Sequence, residues 1–139
     1  MLAMSSYAIA DANGKWSYLG SPITPGYYPP DVTSIAVGKD ETPYVIFDDS
    51  RFSNERYPTV IIYHPSTGWT NLGSPGFVHS SIYQDDGNAP SITLDHNQIP
   101  YVIYGNDWDI NVVKYDHDNW ESVGAQNIGR GLYTIKQLI

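Results

Sequence analysis

Apolar and polar residues alternate at period two along most of this chain, and turn-forming residues interrupt the alternation every eight to twelve positions. That is the pattern of half-buried strands joined by tight turns, and it leaves no room for a long amphipathic helix. Strands are predicted at 33–37, 43–47 and 59–63, with a fourth beginning at Trp69. A second set is predicted at 91–94, 100–104 and 111–115, with its fourth strand beginning at Trp120. Hairpin signals fall where these strands need them. Gly38-Lys39-Asp40-Glu41 and His96-Asn97-Gln98 separate the first strand of each set from the second, and residues 64–68 and 116–119 separate the third from the fourth. At the start of the chain, Tyr7-Ala8-Ile9-Ala10, Asp11-Ala12-Asn13-Gly14 and Trp16 read as the last hairpin of such a set with its first two strands missing. Near the end, Leu132-Tyr133-Thr134-Ile135 has the alternation of one further first strand.

The two sets are copies of each other. Trp-x-x-(Leu/Val)-Gly recurs as Trp16-Ser17-Tyr18-Leu19-Gly20, Trp69-Thr70-Asn71-Leu72-Gly73 and Trp120-Glu121-Ser122-Val123-Gly124, with 53 positions between the first two tryptophans and 51 between the second two. A second phrase, Ser34-Ile35-Ala36-Val37 followed by Pro43-Tyr44-Val45-Ile46-Phe47, returns as Ser91-Ile92-Thr93-Leu94 followed by Pro100-Tyr101-Val102-Ile103-Tyr104. Ser to Pro is nine positions in both. A period near 50 residues with four strands per unit lies in the range of β-propeller blades rather than helical repeats. The expected organisation is a half-blade over 1–20, full blades over 21–73 and 74–124, and a terminal strand within 125–139, all in one domain.

Composition narrows the classes of function. Charged residues are only 16% of the 139, tyrosine and tryptophan are abundant, and glycine and proline are frequent, as in secreted or surface β proteins. The formal charge of −8, with basic residues scattered, argues against nucleic acid and against an anionic membrane surface. No segment approaches the roughly 20 apolar residues of a membrane span. No signal peptide is visible at Met1-Leu2-Ala3-Met4, so the chain either stays inside its cell or is a piece of a longer exported protein. With no cysteine there are no disulfides, thiolate metal sites or cysteine nucleophiles.

The run Thr59-Val60-Ile61-Ile62-Tyr63, Gly68-Trp69-Thr70-Asn71-Leu72-Gly73-Ser74-Pro75-Gly76-Phe77, Pro90-Ser91-Ile92-Thr93-Leu94-Asp95 and Pro100-Tyr101-Val102-Ile103-Tyr104 resembles the tandem β-propeller repeats of large bacterial surface and secreted proteins. The resemblance runs from about Tyr7 to Gly124, implies an extracellular or cell-surface setting and carries no shared chemistry. Gly124-Ala125-Gln126 departs from it by lacking the Ser-Pro that follows Gly20 and Gly73. In organisation the chain is also similar, more loosely, to few-bladed propeller lectins, which implies ring closure by association of copies. Two or three chains, each completing the half-blade of the next, would close such a ring, unless the chain is a fragment of a longer propeller.

Candidate sites come from residues outside the repeated phrases. Trp108, between Asp107 and Asp109, joins an indole to hydroxyl-accepting carboxylates, which is the chemistry of sugar binding. The corresponding longer loop of the preceding repeat carries Asp48, Asp49 and Arg51, and the connections between repeats carry Tyr27, Tyr28 and Tyr83. Against these stand plain alternatives: Trp108 as a cover for a sheet edge, and the tyrosines as solvated loop residues. The repeated tryptophans read as packing between sheets, with a sugar platform as the alternative. Gly20, Gly73 and Gly124 read as turns needing positive φ, and Tyr44, Tyr63, Tyr101 and Tyr115 as core or cross-strand residues. Asp48/Asp49, Asp85/Asp86 and Asp107/Asp109 lack the ordered ligand spacing of a calcium loop. Asp11-Ala12-Asn13-Gly14-Lys15-Trp16 misses the sialidase Asp-box by one position, and the four histidines have no ligand spacing. The expectation is therefore a non-enzymatic module without cofactor or metal, binding a glycan or a surface protein, lectin-like in the first case. A protein-interaction or structural module is the rival, and a propeller-fold glycosidase the less favoured one.

Overall fold

The computed structural model describes residues 8–10, 13–23, 26, 30–51, 55–78, 89–106 and 109–124. Among them the chain is all-β, in three antiparallel sheets with no helix. β1 (Ala8–Ala10) and β2 (Trp16–Tyr18) form a two-stranded ribbon. β3 (Thr33–Val37), β4 (Pro43–Asp49), β5 (Tyr57–His64) and β6 (Gly68–Asn71) form one four-stranded sheet in sequential order. β7 (Ser91–Leu94), β8 (Pro100–Asn106), β9 (Asp109–Asp116) and β10 (Asn119–Ser122) form the second.

The strand assignment follows the alternation closely, with one systematic difference. β4, β5, β8 and β9 run one or two residues past the predicted ends, so Asp48, Asp49 and Asp109 lie on strands rather than in loops. Ladder pairing continues through Asp48 with Pro58 and Asp49 with Tyr57, and through Asn106 with Asp109. The predicted strand 132–135 lies outside the described residues.

The register of the two large sheets is the same. Ile35 pairs with Val45 and Val45 with Ile61; Ile92 pairs with Val102 and Val102 with Val113. Alternation gives each sheet two apolar faces, as expected of sheets covered on both sides. The main core forms where the outgoing face of the first sheet (Ala36, Tyr44, Ile46, Val60) meets the incoming face of the second (Ile92, Val102, Tyr104, Val113). A smaller core gathers Val45, Phe47 and Ile61 on the incoming face of the first sheet, covered by Ile23 and Trp69.

The two sheets approach most closely along their first strands, β3 and β7. The Ser34 hydroxyl accepts from the Ile92 N–H there, at 3.4 Å. At the adjoining turn the Lys39 N–H donates to Gln98 Oε1 at 2.6 Å, and Lys39 Nζ donates to the His96 carbonyl at 2.7 Å. Towards the outer strands, Trp120 makes the central contact, with Tyr115 beside it. Its indole N–H donates to the Leu72 carbonyl at 3.0 Å, and its ring stacks on Phe77 at 4.3 Å and leans on Tyr115 at 5.2 Å.

The same latch joins the first large sheet to the ribbon: Trp69 donates to the Leu19 carbonyl at 2.8 Å and leans on Tyr63 at 5.3 Å. Gly20 and Gly73, both at φ near +72°, are needed for more than the turn. A Cβ on Gly20 would lie 2.8 Å from the Tyr63 ring, and one on Gly73 would lie 2.9 Å from Tyr115 and 3.0 Å from Trp120. Two of the three repeated tryptophans are thus inter-sheet packing residues. Trp16 is not, being 74% exposed: among the described residues no strand pair precedes the ribbon to receive it.

Candidate functional site

Antiparallel order puts the described candidates Asp48, Asp49, Arg51 and Asp109 at the same end of their sheets. β3 and β5 begin where β4 ends, so the β4–β5 loop and the connection entering β3 share a rim; the β8–β9 turn and the entry to β7 share the corresponding rim of the second sheet. All four segments that carry candidates have an end on this side. Tyr27, Tyr28, Tyr83, Asp107 and Trp108 themselves lie outside the described residues, as do Asp85 and Asp86. The opposite end carries the turns with Lys39, His64, His96 and His117.

Asp48 organises the rim. It is buried on β4, and its Oδ1 accepts from the backbone N–H groups of Asp31 at 2.9 Å and Val32 at 3.1 Å, which ties the entry of β3 to the end of β4. Its Oδ2 accepts from Arg56 at 2.6 Å, and Arg56 also pairs with Asp31. Burial works against the Arg56 charge, but the hydrogen bonds and charges of Asp31 and Asp48 outweigh it and raise its pKa further above the ordinary arginine value. A buried carboxylate is tolerable only when its acceptor sites are filled, and here they are filled by the segments that must be held together.

Asp49 does the same for the loop. Its carboxylate takes the Arg51 N–H at 2.9 Å and the Arg51 guanidinium through Nε and the terminal nitrogen at 2.7–3.0 Å, a bidentate pair. The guanidinium lies 5.3 Å from the Phe47 ring centre and reaches Asn71 Oδ1 at 3.3 Å. Gly26 packs against the peptide joining Ser50 and Arg51 so closely that a Cβ would be driven into it. On the next connection, the Gly76 N–H donates to the buried Thr59 hydroxyl at 2.9 Å. The connections between repeats are therefore fastened to this rim by buried polar groups.

The structure thus brings Asp48, Asp49 and Arg51 together, and gives both aspartates the place of struts with their oxygens committed. Asp109 opens β9 on the rim of the second sheet, opposite Asn106 in the ladder. Sequence reasoning missed Asp31, Arg56 and Gly26. The available signal was Arg56, a cation eight positions from a carboxylate in a long loop, but its second partner is 25 positions away. Among the described residues no group of three or more metal-ligating side chains converges. No family model, curated protein or solved structure matches the chain.

Proposed function

We propose that the chain is a β-propeller-type repeat module that binds carbohydrate without catalysis. Support for the architecture comes from successive four-stranded sheets of identical register that converge on their first strands and are linked by the same latch. The observation that carries the binding reading is the shared rim: every segment bearing a candidate aromatic or acid begins or ends there. The rim is braced from below by Asp48 and Asp49, so that a guanidinium is held in a fixed pose over Phe47. Aromatic faces stack on sugar C–H groups, while carboxylates and planar donors orient hydroxyls. In this reading Trp108 with its flanking Asp107 and Asp109 forms the stacking element, Arg51 a hydroxyl donor, and Tyr27, Tyr28 and Tyr83 further platforms.

A glycan-array screen of the protein beside Trp108→Ala and Arg51→Ala tests this. The expected result is a defined set of bound glycans whose signal falls at least tenfold in Trp108→Ala. Signal unaffected by Trp108→Ala would defeat the site, and silence across the array would move the reading to a protein-interaction module.

A further inference from the structure

The chain carries three Trp-x-x-(Leu/Val)-Gly units, hence three such indoles and three sockets, yet among the described residues only two latches are closed. Trp69 fills the Leu19/Gly20 socket and Trp120 fills the Leu72/Gly73 socket. What remains is one exposed indole, Trp16, with Tyr18 beside it 69% exposed, and one socket, Val123 and Gly124.

That third socket is already formed. The Val123 N–H donates to the Val112 carbonyl at 2.9 Å, as the Leu72 N–H donates to the Val60 carbonyl at 2.8 Å. Gly124 sits at φ +73°, the value of Gly73. The difference lies in what stands over it: a Cβ on Gly73 would strike Tyr115 and Trp120, whereas one on Gly124 would meet none of the described residues within 4 Å. The acceptor in each latch is a backbone carbonyl, so replacement of leucine by Val123 leaves the bond available.

We propose that Trp16 of one copy seats on Val123 and Gly124 of another, its indole N–H donating to the Val123 carbonyl, so that copies join head to tail. The occupant is a second copy because the chain itself supplies both halves of a joint that, among the described residues, it closes twice internally and leaves open once. The interface is heterologous, with different patches on the two partners, and it produces either a ring or an open string according to the rotation at each joint. The net charge of −8 on every copy opposes association at low ionic strength, so added salt strengthens it.

The test is sedimentation velocity on the full chain, over a concentration series in moderate salt, for wild type, Trp16→Ala, Gly124→Asn and an equimolar mixture of the two variants. Asparagine tolerates the left-handed backbone that Gly124 adopts but puts a side chain where the indole must lie. Trp16 is solvent-exposed in the single chain, so its truncation leaves the fold intact, and circular dichroism checks this for both variants. Wild type is expected as a multiple of 15.5 kDa and each variant at 15.5 kDa. The mixture is expected to form a species of two chains and nothing larger, because one variant retains the indole and the other the socket. A monomeric wild type, a variant that assembles like wild type, or a mixture that stays monomeric would each overturn the proposal.

Discussion

Ile35 and Ile92 occupy the same place in the same phrase, yet Ile35 is 44% exposed and Ile92 is 4% exposed. Val37 and Trp16 on the earlier side of the molecule are open to solvent as well, while Trp120 and Val113 on the later side are not. Both large sheets have the same strand order, pairing register and alternation. The difference is that the second sheet has a full four-stranded neighbour before it, whereas only a two-stranded ribbon is described before the first. Burial of the first strand is thus a property of the stack, as expected where each unit contacts only its neighbours, whereas Val45 and Ile61 are buried like their counterparts Val102 and Val113.

The strongest way to sharpen that comparison is to remove equivalent tryptophans. Trp120→Ala takes away an indole stacked on Phe77 and bonded across the sheets, and should cost about 3–5 kcal/mol in urea denaturation. Trp16→Ala should change the stability of the dilute chain by less than about 0.5 kcal/mol. Ile92→Ala should cost about 2–4 kcal/mol and Ile35→Ala under about 1 kcal/mol; equal costs would mean that β3 is covered after all. At the sockets, Gly124→Ala carries only the strain of a left-handed residue, about 1 kcal/mol, whereas Gly73→Ala adds about 1–3 kcal/mol of overpacking against Tyr115 and Trp120.

The smallest effect is acidic. Lys114 donates to Asp116 at 2.6 Å in the second sheet, where the first has Ile62 and His64, and that hydrogen bond, with His117 and Lys114 charges assisting, lowers the Asp116 pKa below its ordinary 3.8. A depressed carboxylate contributes stability that is complete above its unfolded value and is lost as pH falls through the folded one. The protection of β9–β10 hairpin amides, relative to their intrinsic exchange rate at each pH, should therefore fall below about pH 4, and Asp116→Asn should abolish that dependence.

The strands were legible because period two survives in both copies, and the tryptophan latch was legible as packing because it repeats in step with the strands. The exposure of Trp16 was not, since a motif does not record whether a neighbour stands before it. The ends of β4, β5 and β9 were hidden for another reason. Asp48, Asp49 and Asp109 read as loop residues by charge, and only contacts across 16 or 17 positions, such as those of Asp48 with Asp31 and Val32, turn a carboxylate into a buried strut. Of the candidate site, the grouping of Asp48, Asp49 and Arg51 follows from their nearness along the chain. Its meeting with the connection before β3 is a product of strand direction, which alternation alone does not convey.

Among the described residues, hydrogen bonds pin the two large sheets together at two separated places, the inner strands with their turn (Ser34 with Ile92, Lys39 with the Gln98 turn) and the outer margin (Trp120 on Leu72). Two pins fix an angle where one would leave a swivel. With the outer pin severed, only apolar packing would oppose a swing of the second sheet about the inner one, like a door on its post.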